Sequence, residues 1–192
     1  MKENPRKKQI VEAAARAVAN RGYDHASIKE IAAEAGLAAP GLIHYYFKTK
    51  EEILREVLLQ SARQYAEEMD GLRGEASPEL FGPKGRRRAG ETPGHEPEWY
   101  KLRYELFAQG LRNPELSAGV GGLMEIGRGG ISGVLDSALH GLEEAEREAL
   151  SAILLACFDG LALQKLLQPE LDLEQAYALL EKMIVSRFPE AE

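Results

Sequence analysis

One cysteine, Cys157, stands in 192 residues, which excludes an intramolecular disulfide and fits a reducing compartment. It falls on an apolar helical face and reads as a buried structural thiol rather than a nucleophile. No C-x-x-C, H-E-x-x-H or Glu-x-x-His pattern occurs, and the four histidines are scattered. The usual zinc and di-iron helical sites therefore lack ligands. No β-run appears anywhere, so neither a phosphate-binding glycine loop nor a nucleophile elbow can follow a strand. We expect no cofactor, and an enzyme is the weakest reading. Nor does an apolar run approach the roughly 20 residues that cross a bilayer. The start, MKENPRKKQI, is basic without an apolar core behind it, unlike a signal peptide. A cytoplasmic protein without a membrane partner is expected.

What is present is the composition of a soluble globular chain, 44% hydrophobic and 29% charged. The net charge of −7 is unevenly spread. Residues 1–50 hold nine Lys/Arg against five Asp/Glu, a net of +4, which leaves −11 for the remainder. A basic head on an acidic body implies one surface that faces phosphate and another kept off it.

The head is organised around Ser27 to Leu54, SIKEIAAEAGLAAPGLIHYYFKTKEEIL. Ser27 and Glu30 form an S-x-x-E capping box, and Gly36 sits where a helix would stop and turn. Leu42, Ile43, Tyr46 and Phe47 continue an apolar face after the turn. A first helix from about Arg6 to Asn20 precedes them, ended by Asn20-Arg21-Gly22. Three short helices thus enclose a small core of Ile10, Ala14, Val18, Ile28, Ile31, Leu37, Leu42, Ile43 and Phe47. Helix, glycine turn and helix is the unit that sets a recognition helix in the major groove. Thr49, with Glu52 as its partner, caps a further helix that runs to about Leu72 and links head to body.

The spacing of apolar residues makes the body helical throughout, so the fold class is all-α: a three-helix head, residues 1–49, and an antiparallel helical domain, residues 50–192. The Gly- and Pro-rich piece 82–97 reads as a mobile loop, and its Lys84, Arg86, Arg87 and Arg88 as solvated rather than a second DNA contact. Helical pattern resumes at Glu98 or Trp99 and stops at Asn113-Pro114. From Pro114 to about Leu142, seven glycines between Gly119 and Gly133 predict a helix broken near Gly129-Gly130. Segments 143–168 and 173–188 are amphipathic with apolar residues on more than one face. A four-helix interface made from two chains buries them most easily.

Taken together, A-G-L, the aromatic pair, F-K-T-K and the following E-x-[IL]-L resemble the TetR family of one-component bacterial regulators. The tail DGLALQKLLQPELDLEQAYALL is similar to the subgroup related to choline-responsive regulators. The resemblance implies a homodimer whose heads read successive turns of a palindromic double-stranded operator and release it when a small molecule enters the body. Carried onto this chain, the recognition helix is about Ala38 to Tyr45. His44 and Tyr45 would reach a phosphate or base edge, and Lys50, with Lys48 nearby, a phosphate. Ser27, Ala39, Pro40 and Gly41 would line the groove. Many members have polar groups where this chain has Ala39-Pro40, which shifts base readout toward apolar contact and His44.

For the effector the candidates are Tyr65, Met69, Trp99, Tyr104, Phe107, Met124 and Phe158, with Arg103 and Arg128 for an anionic ligand. The glycines of 119–133 would leave interior space beside them. The alternative is a helical protein-interaction module whose head docks a protein partner, and salt-dependent DNA binding separates the two.

Overall fold

The computed structural model describes residues 4–74, 97–139 and 141–188. The loop expected at 82–97, with Lys84 and Arg86 to Arg88, lies outside them apart from Pro97. Eight helices and no strand occur among the described residues: α1 (Pro5–Arg21), α2 (Ile28–Glu34), α3 (Gly41–Tyr46), α4 (Lys50–Gly74), α5 (Pro97–Arg112), α6 (Pro114–Ala138), α7 (Glu144–Leu167) and α8 (Leu173–Arg187). By backbone proximity the chain divides into two compact units, Met1–Arg63 with Pro97–Gly122, and Gln64–Glu96 with Leu123–Glu192.

Local chemistry places most helix ends. Asn4 caps α1, its side chain accepting from the Arg6 and Lys7 amides, and Pro5 occupies the first turn where no amide is missed. Gly22 closes α1 at φ 77°, a conformation that disfavours any side chain. Asn113 joins α5 to α6 directly, its side chain accepting from the Glu115 amide at 3.0 Å. Asp172 caps α8 through the Gln175 amide, and Lys165 donates to the Pro169 and Leu171 carbonyls in the turn before it.

In the first unit α1 packs on α2 and on α5. Ile10, Ala13, Ala14, Ala17 and Val18 of α1 are buried with Ile31, Ile43, Phe47, Ile53, Leu54 and Val57. Leu102 and Leu106 of α5 are buried too. In the second unit Ile131 and Leu135 of α6, Leu154 and Leu155 of α7 and Ile184 of α8 form one cluster, with Phe158, Leu180 and Phe188 against it.

Three expectations are corrected. The 114–138 segment is one unbroken helix, because several of its glycines are sites of close approach: a Cβ on Gly130 would lie 2.8 Å from Met69 Cβ, and one on Gly127 2.7 Å from Tyr65 Oη. The space over those glycines is filled by Tyr65 and Met69. Leu42 is not core; it stands 41% exposed on α3. And α7 does contain a stretch long and apolar enough, by length and composition, to cross a bilayer, with mean hydropathy 1.6.

Candidate nucleic-acid interface and helical body

The head presents its second and third helices as the sequence leads one to expect, with a shorter third. The Ser27 hydroxyl accepts from the Glu30 amide at 3.3 Å while the Glu30 carboxylate accepts from the Ser27 amide at 2.9 Å. Gly36 turns the chain at φ 61°. The recognition helix does not run from Ala38. It begins at Gly41, because Pro40 disfavours helical backbone at Ala39 before it and itself takes the capping position. Ala38, Ala39 and Pro40 are exposed in the lead-in, and Gly41 is exposed at the first position of α3.

A helix of six residues has little hold of its own, so its anchor matters. Ile43 is fully buried, and Phe47 closes α3 with its amide on the Ile43 carbonyl at 2.9 Å. That leaves Leu42, His44 and Tyr45 facing solvent. Tyr45 is 81% exposed and meets the half-buried Tyr46 edge-on, ring centroids 5.0 Å apart. A large aromatic held out of the core on a short, pinned helix can stack or hydrogen-bond at a groove. Leu42 beside it offers an apolar contact of the kind a thymine methyl accepts. Periodicity alone assigned Leu42 inward, so the sequence reading missed it.

Charge in the head is mostly spent internally. Lys7 pairs with Glu56 at 2.5 Å, Arg16 with Glu34 at 2.8 Å, Arg21 with Glu30 at 2.9 Å and Lys8 with Glu12 at 3.9 Å. Lys29 and Lys48 are exposed with no side-chain partner among the described residues. Lys29 was not singled out from sequence. Its signal was a local conflict, a cation in the first turn of α2 where the helix dipole favours an anion. Lys50, expected to meet phosphate, donates its Nζ to the Tyr23 carbonyl at 2.6 Å. Thr49 caps α4 through the Glu52 amide at 3.1 Å, and Glu52 reaches back to the Lys48 amide.

The nine effector candidates divide between the units. In the first, Tyr104 stacks with Tyr100 and meets Phe107 edge-on, and the buried Arg103 guanidinium lies 4.8 Å over the Phe107 ring, with Trp99 half-buried on the same helix. In the second, Tyr65 and Met69 are buried, Met124 is exposed, Phe158 packs edge-on against Tyr177, and Arg128 pairs with Glu125. Arg128 already has a carboxylate, which counts against a waiting anion site.

Glu68, on the face of α4 that carries Tyr65 and Met69, was also missed. It is half-buried, with no hydrogen bond or ion pair among the described residues, and desolvation holds its carboxyl above the usual value. A raised value means the folded state prefers the proton. The ionisation penalty is absent below the ordinary glutamate range and grows as pH rises through the folded value. Glu68→Gln is therefore expected to raise the melting temperature at pH 7 and to leave it unchanged at pH 4, as differential scanning fluorimetry would read.

On α7, residues 149, 153, 156, 160, 163 and 167 recur every three or four positions. Ala149, Ile153, Ala156, Leu163 and Leu167 among them are exposed. Leu179, Met183 and Val185 of α8 are exposed as well. This apolar seam has the repeat of helix-to-helix packing. Asp159 and Lys165 within the same stretch of α7 fit a partner surface better than hydrocarbon.

Comparison with known proteins agrees with this geometry. Residues 10–57 match the family described as bacterial regulatory proteins, tetR family, and residues 90–189 that described as BetI-type transcriptional repressor, C-terminal. The fatty acid metabolism regulator protein of Bacillus subtilis (strain 168) is 37% identical over 68 residues, 35% of this chain and 34% of that protein. The match thus spans about a third of that curated relative. A TetR transcription regulator from Haloarcula marismortui superposes with TM-score 0.76 at 17% identity, covering 96% of this chain and 98% of its own. A transcriptional regulator from Saccharomonospora viridis, solved in complex with choline, gives TM-score 0.72 at 21% identity, covering 98% and 100%. Both structures share the fold.

Proposed function

Because the chain belongs to the TetR family of bacterial transcriptional regulators, which bind DNA through a helix-turn-helix, we propose that it is a homodimeric cytoplasmic repressor released from a palindromic operator by a small molecule. The observation that carries this reading is Tyr45, 81% exposed on a helix pinned by Ile43. Residues 1–49 read the DNA, with Leu42, His44 and Tyr45 toward base edges and Ser27, Lys29 and Lys48 toward phosphates. Residues 50–192 bind effector and dimerise. Two copies of the α7–α8 seam cover each other, and the two heads read successive major grooves, about 34 Å apart on the duplex. Movement of α4 on effector binding changes that spacing, and a few kcal/mol of differential affinity is enough to empty the operator.

For the effector we propose a small organic cation of the choline class. The BetI-type C-terminal match and the choline-bound neighbour support it, and Glu68 supplies a carboxylate without a partner among the described residues. Selecting bound duplexes from a random pool tests the first part. A palindrome with half-sites about one helical turn apart is expected, and enrichment of nothing would overturn the reading. Tyr45→Ala should weaken binding to the recovered duplex about 10- to 100-fold, the worth of one good contact at a base or phosphate. Choline should then release the wild-type protein and act less on Glu68→Gln; release by organic anions alone would sink the cation assignment.

A further inference from the structure

We propose that Lys50 and Tyr23 form a clasp that fixes the first turn of α4 to the turn between α1 and α2, so that Lys50 positions the head rather than contacting phosphate. The inference rests on the DNA-binding reading. Lys50 Nζ donates to the Tyr23 carbonyl at 2.6 Å and comes within 3.5 Å of the Asp24 carbonyl. The same ammonium lies 4.0 Å over the Tyr23 ring. Tyr23 in turn donates its hydroxyl to the Glu51 carboxylate at 3.1 Å. Two neighbouring residues of α4 thus grip one residue of the turn, one by its carbonyl and ring face, the other by its hydroxyl.

The chemistry suits the task. A lysine ammonium is a compact charge with three donors, able to meet a carbonyl and a ring face at once. Burial and Glu51 push the Tyr23 hydroxyl up to about 12, so it remains a donor at any physiological pH. The gripped turn leads straight to Ser27, the cap of α2, through the Ala26 and Ser27 amides bonded to Tyr23 and His25. Where α4 begins therefore determines where the helix-turn-helix begins. In Lys48-Thr49-Lys50 the two cations divide the work: Lys48 is exposed and available to phosphate, while Lys50 is turned inward.

The test uses the full-length protein and the duplex that wild type recovers from a random pool, titrated across a salt series. Losing a phosphate contact lowers the slope of log K against log salt by about 0.9. Lys50→Met is expected to weaken binding about tenfold with the slope unchanged, whereas Lys48→Met should lower the slope by that amount. Without DNA, hydrogen exchange at the Ala26 and Ser27 amides should accelerate in Lys50→Met. It should accelerate less in Tyr23→Phe, which keeps the ring and loses the Glu51 bond and which serves alone if Lys50→Met does not fold. A slope lowered by about 0.9 in Lys50→Met, or exchange unchanged in both variants, overturns the clasp. If the wild type recovers no duplex, the DNA reading fails, and the exchange rates still decide the clasp.

Discussion

Gly130→Ala is expected to destabilise the protein by about 1–3 kcal/mol, although alanine is the better helix former by about 1 kcal/mol. The reason is the close approach of α4. A Cβ at Gly130 would stand 2.8 Å from Met69 Cβ and 2.9 Å from its Cγ. The first of these atoms cannot swing aside, so one helix backbone must give way. Gly110→Ala should behave alike, since its Cβ would meet Val120 Cβ and Cγ2 at 2.8 Å, and Val is stiff at its first torsion. Gly119→Ala should cost less, because its one severe contact is a Leu58 terminal methyl at 2.7 Å. Gly121, with nothing within 4 Å, supplies the opposite sign: Gly121→Ala should stabilise by up to about 1 kcal/mol. Chemical denaturation of the four variants checks the order. Equal losses at Gly130 and Gly121 would show that helix propensity and not helix approach governs these sites.

The glycines also show where sequence reading stops. Each carries a local cost that predicts a break, and the offsetting term is the nearness of residues such as Met69, some sixty positions away. Nothing local records that. The Ser27–Glu30 capping box, the Thr49 cap and the stop at Asn113-Pro114 were legible because donor and acceptor lie within four residues; the cap at Asn4 was equally local but was not read. Pro40 was equally local: it forbids an earlier start to α3, and a stricter reading of the residue before proline would have found the boundary. The exposure of Leu42 and the bond of Lys50 to Tyr23 were hidden for a different reason. Periodicity gives a helix face its apolar side but cannot say whether a six-residue helix buries all of it. A lysine at the start of α4 looks the same whether it faces phosphate or a carbonyl 27 residues back. The apolar excess of the last two helices was legible, and in the fold it emerges as exposed apolar residues on α7 and α8.

That surface underlies the second large effect: Leu179→Glu should convert the protein to a monomer and lower operator affinity by about 10²–10⁴. Leu179 is 61% exposed within one chain, so a glutamate there faces water and the subunit keeps its fold. In a dimer sealed by α7 and α8 the same carboxylate would be buried without a partner, which no apolar seam tolerates. Ile153→Glu should act in the same way from α7. Once the heads are unlinked, each half-site is bound on its own, and the high effective concentration of the second head is lost. Leu111→Glu is the control, since Leu111 is 90% exposed at the end of α5, outside the seam, and should leave the dimer intact. Light scattering after gel filtration reads the mass, and gel shift reads the affinity. A dimer that survives Leu179→Glu and Ile153→Glu but falls apart with Leu111→Glu would move the interface away from the last two helices. A monomer that still binds the full operator tightly would instead remove dimerisation from the mechanism.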